Sequence, residues 1–218
     1  AEPKAGEVRV RIAAAGVCHS DLHVMRGEWD AASPMVMGHE GSGVVVALGE
    51  GVTTLAVGDH VVLSWVPPCG ECRYCRSGHE ARCQKVATLV APQGVLFDGT
   101  SRLSKEGETL HHYLGVSSFA EEVVVPASGA VKVRDDAPLD IIAVVGCAVA
   151  TGVGAVLNTA AVEPGSTVAV IGCGGVGLNV VQGARLAGAE RIIAIDVVAD
   201  KTLMALQFGA TDLIDATQ

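Results

Sequence analysis

The chain has 218 residues; half are hydrophobic, 18% are charged and 27 are glycine, a composition that builds apolar cores joined by many turns. Aromatic residues make up only 3%, so Val, Ala, Leu and Ile must supply the core. A formal net charge of -9, from 24 acidic against 15 basic residues, argues against nucleic acid and anionic lipid as partners, because their phosphates would be repelled.

The first half reads as β-rich. Residues 7 to 13 alternate, with Val8, Val10 and Ile12 on one face and Glu7, Arg9 and Arg11 on the other, which predicts a half-buried strand ended by Gly16. A short helix is expected from about Ser20 to Met25. Val-rich strands follow at residues 42 to 48 and 60 to 65, with Gly49, Gly51 and Gly58 marking turns. Residues 66 to 83 hold Pro, Gly and clustered cysteines, so a lobe over 66–90 is expected to be organised by something other than an apolar core. Further strands are expected at 119 to 125 and around 131 to 133.

The texture changes after Pro138. Helices are expected at 139 to 146 and 151 to 161, then a turn at Glu163-Pro164-Gly165-Ser166. Strand and helix alternate from there: a strand from Thr167 to Ile171, a helix from Gly175 to Ala187 and a strand from Arg191 to Asp196. A helix at 199 to 208 and a strand at 212 to 215 complete the series. Apolar strands alternating with helices predict a parallel α/β sheet. The expected organisation is a β-rich domain over 1–146 followed by an α/β domain over 147–218. The chain opens with Ala1-Glu2-Pro3 rather than Met and stops at Gln218 just after a short strand, so it reads as part of a longer protein.

Four of the seven cysteines crowd between residues 69 and 83. An odd count in a long chain, with no visible signal peptide and no bilayer-spanning apolar run, points to reduced thiols in a cytoplasmic protein rather than a disulfide scaffold. Cys69, Cys72, Cys75 and Cys83 are spaced C-x2-C-x2-C-x7-C. Four thiolates give Zn²⁺ a closed tetrahedral shell, which makes a structural site; an iron–sulfur cluster is the main rival. A dispersed set, Cys18, His39, Glu40 and Cys147, could leave one tetrahedral position open, as a catalytic zinc requires. From spacing alone a lone His and two distant Cys are more often core residues than ligands.

Gly172-Cys173-Gly174-Gly175-Val176-Gly177 follows a predicted strand, opens a predicted helix and precedes Asp196 by 24 residues. Gly172, Gly174, Gly175, Val176 and Gly177 would let a pyrophosphate approach the helix N-terminus, and Asp196 would hold a ribose diol. A carboxylate there repels a 2′-phosphate, which favours NAD over NADP. Cys173 reads as a small side chain inside the loop.

Together these features resemble the zinc-containing medium-chain alcohol dehydrogenases. Gly16-Val17-Cys18-His19-Ser20-Asp21-Leu22-His23 is similar to that family's first zinc-ligand motif, Gly38-His39-Glu40-Gly41-Ser42-Gly43 to its second, and Cys69 to Cys83 to its structural zinc lobe. The resemblance implies a GroES-like β-rich catalytic domain followed by a truncated Rossmann doubly wound sheet. It implies two zinc ions per chain: Cys18, His39 and Cys147 hold the catalytic one, with Glu40 beside it. It further implies that Ser20 and His23 relay the alcohol proton, and that His19, Thr151 and Lys201 contact NAD at pyrophosphate, nicotinamide and adenosine ribose. The implied reaction is reversible oxidation of a primary or secondary alcohol, with hydride passing to NAD⁺.

Cys83-Gln84-Lys85 and Asp98-Gly99-Thr100-Ser101-Arg102 resemble the animal-type and glutathione-dependent formaldehyde dehydrogenase branch. That branch usually carries an Arg after Cys-Gln-Lys to bind the adduct carboxylate. Val86-Ala87 stand there in this chain, which favours a general alcohol. S-(hydroxymethyl)glutathione dehydrogenase and polyol dehydrogenase are the alternatives within the family. A zinc-free quinone reductase and a zinc-ribbon binding module are more remote, the latter opposed by the acidic charge balance. The partners expected are a small-molecule alcohol or aldehyde and, at full length, further copies in a homodimer or homotetramer. Only three of six Rossmann strands can be placed, so this piece alone is expected to be poorly stable and nearly inactive.

Overall fold

The structure is a computed structural model describing residues 1–217. It forms two compact units, Ala1–Gly146 and a second from Cys147 onward.

The first unit runs β1 (Glu7–Gly16), α1 (His19–Met25), β2 (Met35–Val36), β3 (Glu40–Leu48), β4 (His60–Leu63), α2 (Arg73–Arg76) and α3 (Ala91–Gln93). It continues with β5 (Leu103–Lys105), β6 (Glu108–His112), β7 (Glu122–Pro126), β8 (Ala130–Lys132) and α4 (Leu139–Ile142). Five strands form one antiparallel sheet in the order β7-β1-β3-β4-β8. Its core is aliphatic: Val8 and Val10 of β1 meet Val45, Val61, Leu63, Val123 and Val125. This is the apolar face that the alternation in β1 predicts.

The polar face of β1 departs from expectation at one residue. Glu7 is buried because Arg102 reaches it, Nε donating to Oε2 at 2.9 Å and Nη2 to Oε1 at 2.5 Å. A second sheet, β2-β6-β5, was not foreseen. Strands of two to five residues are too short to carry a readable period. The cysteine lobe also has a small apolar core, contrary to expectation: Cys75, Cys83, Val86 and Val90 cluster there, with Val66 and Phe97 against them.

The second unit runs α5 (Ala148–Gly154), β9 (Thr167–Ile171), α6 (Gly175–Leu186), β10 (Arg191–Asp196), α7 (Ala199–Phe208) and β11 (Asp212–Asp215). The strands form a parallel sheet ordered β11-β10-β9, which is the order of one half of a doubly wound dinucleotide fold. Val156, Val170, Val181, Ala184, Ile192, Ala194 and Ala205 make its core. Glycine brings α5 close to α6, since a Cβ on Gly152 would lie 2.6 Å from the Val176 carbonyl oxygen. β9 is less buried than its apolar sequence suggests. Val170 faces the core, while Thr167, Ala169 and Ile171 alternate onto an exposed face.

No single helix among the described residues is long and apolar enough to cross a membrane.

Candidate metal centres and cofactor loop

Cys72 caps α2 and Cys75 lies within it, so one helical turn presents both sulfurs to Cys69 and Cys83. The four ligand atoms lie within 4.8 Å of one another. Cys75 Sγ is 3.5 Å from Cys72 Sγ and 3.9 Å from Cys69 Sγ. Four sulfurs about 2.3 Å from one zinc would sit about 3.8 Å apart at tetrahedral corners, so the spacing fits a single ion. An iron–sulfur cluster divides its cysteines among two or more irons and would spread the four sulfurs wider.

Backbone donors prepare these thiols for charge. The N–H groups of Cys69 and Cys72 point at Cys83 Sγ and Cys69 Sγ, each at 3.4 Å. Backbone N–H groups of Cys75 and Gln84 draw the Cys72 thiol down to about 6. Burial pushes Cys83 up, but the N–H groups of Val86 and Cys69 outweigh it and the net shift is downward. Burial pushes Cys75 up to about 12. A cation among the four sulfurs would offset that cost on binding.

The second cluster is assembled from distant segments. Cys18 is the N-cap of α1, immediately after β1 and its loop, while His39 immediately precedes β3 and Glu40 opens it. Their ligand atoms lie within 4.8 Å of one another, with His39 and Glu40 buried and Cys18 half-buried. Glycine makes the convergence sterically feasible. A Cβ on Gly16 would come 2.1 Å from Oε2 of Glu40, and one on Gly38, at φ +89°, would meet Ser118 and Phe119 at 2.6 Å.

Asp21, absent from the sequence-based site, organises this cluster. Its carboxylate is 1% exposed; Oδ2 accepts the Cys18 N–H at 3.0 Å and Oδ1 accepts the Gly38 N–H at 3.0 Å. Oδ1 also stands 3.5 Å from His39 Nδ1, which makes no hydrogen bond among the described residues. A ligating imidazole is commonly oriented by a carboxylate on its other nitrogen. The available signal was position: Asp21 is the third residue of α1, where a carboxylate reaches back to the N-cap N–H.

The remaining expected residues fall as follows. Cys147 caps α5 at the start of the second unit and is half-buried. It follows Gly146, where a Cβ would come 2.0 Å from the Leu63 carbonyl oxygen. Ser20 and His23 lie one turn apart on α1, and the Ser20 carbonyl accepts the Tyr113 hydroxyl at 3.2 Å. His19 is exposed on the same helix, and its ring lies 4.8 Å from that of His23.

In the second unit the glycine run turns β9 into α6. Gly172 adopts φ +91°, Gly174 is the N-cap and Gly175 begins the helix. A Cβ on Gly177 would strike the Gly172 carbonyl oxygen at 1.8 Å, whereas Gly174 and Gly175 face open space. The helix therefore offers unencumbered backbone N–H groups to an anion. Asp196, at the end of β10, accepts N–H groups from Cys173 at 2.8 Å and Val198 at 2.9 Å. These bonds, with the Lys201 ammonium contributing less, hold its carboxyl below the usual range. Val176 is partly exposed beside the loop, and Thr151 and Lys201 are exposed on α5 and α7. Cys173 is buried, and burial pushes its thiol up, which leaves it an inert packing residue.

Residues 4–135 match the alcohol dehydrogenase GroES-like domain. The chain belongs to that family. Among curated proteins, the chain is 50% identical over 219 residues to a probable S-(hydroxymethyl)glutathione dehydrogenase 1 of Schizosaccharomyces pombe, covering 100% of this chain and 58% of that protein. It is 47% identical to the alcohol dehydrogenase class-3 of Drosophila melanogaster, covering 99% of this chain and 57% of that protein. Among solved structures, an alcohol dehydrogenase zinc-binding domain protein from Burkholderia ambifaria superposes with a TM-score of 0.95 at 43% identity, covering 100% of this chain and 59% of that one. The chain thus spans somewhat over half the length of these relatives. Its fold class is that of the medium-chain alcohol dehydrogenases, a GroES-like domain followed by part of a dinucleotide-type sheet.

Proposed function

We propose that this GroES-like alcohol dehydrogenase chain serves a zinc-dependent, NAD-linked oxidation of alcohols to aldehydes or ketones. Cys18, His39 and Cys147 hold the catalytic zinc, and Cys69, Cys72, Cys75 and Cys83 hold a structural one. The observation that carries the reading is the convergence of Cys18, His39 and Glu40, with a hydroxyl and an imidazole one helical turn apart on the adjoining α1. Cys147 is assigned from its motif and from its place in the chain, one peptide beyond Gly146.

When bound, zinc supplies a Lewis acid and NAD⁺ a hydride acceptor. Two thiolates and one imidazole would leave a position for the substrate oxygen, with the buried Glu40 carboxylate beside them. The Ser20 hydroxyl both donates and accepts, so it passes the alcohol proton without holding charge. The His23 side chain, 32% exposed, takes that proton and releases it to water. In the second unit the N-terminus of α6 would hold the NAD pyrophosphate and Asp196 its ribose diol, with Thr151 and Lys201 toward nicotinamide and adenosine ribose; His19 keeps the pyrophosphate role that its motif implies.

A primary or secondary alcohol is the substrate class we favour. The second reading, S-(hydroxymethyl)glutathione, draws on the name of the S. pombe relative. Val86, buried, and Ala87, exposed, stand here where that branch carries its Arg, and the neighbouring Lys85 is engaged by Glu71 at 3.1 Å. That stretch therefore presents no unengaged cation to the adduct carboxylate. We further place the working enzyme in the cytoplasm as a homodimer or homotetramer.

Zinc per chain tests the proposal. Two zinc ions, falling to one in Cys18→Ala and to one in Cys72→Ala, are expected. A single zinc indifferent to Cys18→Ala would sink the catalytic centre. NAD⁺ reduction with alcohols and with S-(hydroxymethyl)glutathione then decides the substrate, and preference for the adduct would overturn our choice.

A further inference from the structure

The end of α1 is closed by a specific piece of chain geometry. Gly27 adopts φ +69°, and the chain reverses there. The Glu28 N–H donates to the His23 carbonyl at 2.9 Å and the Gly27 N–H to the Val24 carbonyl at 3.0 Å. This is a Schellman motif, which brings the side chain two beyond the C-cap against the one three before it; that contact is ordinarily hydrophobic. Here it is polar: His23 Nδ1 is hydrogen-bonded to the Glu28 carboxylate.

The imidazole is held on its other sides too. Trp29 stacks on it at 4.7 Å and 23°, and His19 packs against it at 4.8 Å and 58°. An isolated exposed His–Glu pair would be worth little and would settle in no fixed arrangement. This one has its backbone pinned by two hydrogen bonds and its ring pinned by an indole.

We propose that Glu28 is a positioning residue for proton export by His23, an inference that rests on reading His23 as the relay base. An ionised carboxylate only accepts hydrogen bonds, so it holds the proton on Nδ1 and leaves the lone pair on Nε2. Nε2 is then the atom that takes the proton from the relay. The product is an imidazolium whose Nδ1–H still faces the carboxylate, and loss of the Nε2 proton to water restores the starting state. The imidazole of a His–carboxylate pair is held in one tautomer for the same physical reason in hydrolytic triads. Glu28 touches no substrate; it acts through the ring.

The test reads the tautomer directly, by ¹⁵N–¹H correlation of the His23 ring in the zinc-loaded protein at neutral pH. Wild type should show Nδ1–H with Nε2 unprotonated. Glu28→Ala should shift the ring toward the Nε2–H form preferred by unrestrained imidazole, and Glu28→Asp should keep Nδ1–H. In alcohol-dependent NAD⁺ reduction by the complete enzyme, Glu28→Ala should lower kcat about tenfold with KM little changed, and Glu28→Asp should recover most of it. A ring that stays Nδ1–H in Glu28→Ala overturns the inference. So does an unchanged kcat in Glu28→Ala when His23→Gln lowers it. If His23→Gln itself leaves kcat unchanged, the relay reading falls and the inference falls with it, whatever the tautomer shows.

Discussion

The Asp21 carboxylate lies 3.5 Å from Nδ1 of His39 while accepting the backbone N–H groups of Cys18 and Gly38. One buried side chain thereby ties together the loop after β1, the loop before β3 and the imidazole between them. Asn at this position keeps one acceptor oxygen but loses the charge and the second acceptor. Asp21→Asn is expected to weaken zinc at the candidate catalytic centre by about 10- to 100-fold, the usual cost of removing such a partner. The structural zinc should be unaffected. Chelator competition, reading the two ions separately, checks both statements.

Glu7 and Arg102 form a buried ion pair whose partners are 95 residues apart, extended by Asp98 at 2.8 Å from the same guanidinium. Removing one member of such a pair strands the other in a low-dielectric interior. Arg102→Met alone should destabilise the first unit by about 3–5 kcal/mol, while Glu7→Leu with Arg102→Met should recover most of that loss. Urea unfolding of the two single variants and the double measures the coupling.

His112 is fully buried, its Nε2 accepting the Arg102 N–H at 3.1 Å. Burial first, then the nearby Arg102 and His111 charges, bring it down to about 4 from 6.5. Between those values the unfolded chain carries a proton here that the folded chain does not. Stability is therefore full above pH 6.5 and falls as pH drops toward 4, by at most about 3 kcal/mol. His112→Gln keeps an acceptor for the Arg102 N–H but cannot titrate. The loss in urea midpoint from pH 7 to pH 5 should shrink in that variant.

Gly177 sits where a Cβ would strike the Gly172 carbonyl oxygen at 1.8 Å. That oxygen is backbone and cannot move without opening the turn between β9 and α6. Gly177→Ala should weaken NAD binding by more than about tenfold, because the N–H groups proposed to cradle the pyrophosphate would lose their geometry. Calorimetric titration with NADH measures this. Zinc content should not change, since neither metal cluster draws on the glycine turn.

Much of this protein is legible locally. The alternation of Val8, Val10 and Ile12 announces β1, and the strand–helix series from Thr167 announces the parallel sheet, because a period of two or 3.6 is written into neighbouring residues. The cysteine lobe is equally legible, since Cys69, Cys72 and Cys75 lie within one short loop and helical turn. The glycine run reads clearly for the same reason: Gly172 takes a left-handed φ and Gly177 leaves no room for a Cβ.

Contacts between distant segments were decided elsewhere. No period or spacing announces that Arg102 will bury Glu7, that β6 will pair with both β2 and β5, or that Asp21 will reach the residues around His39. Each is settled by which loops the sheets bring together and by the need of a buried charge for a partner. Sequence determined the elements, the donor chemistry and the turns, because these depend on a residue and its near neighbours. Tertiary structure alone decided which of the acidic residues became partners of buried cations and imidazoles, because that depends on low-dielectric proximity, which exists only once the chain has folded.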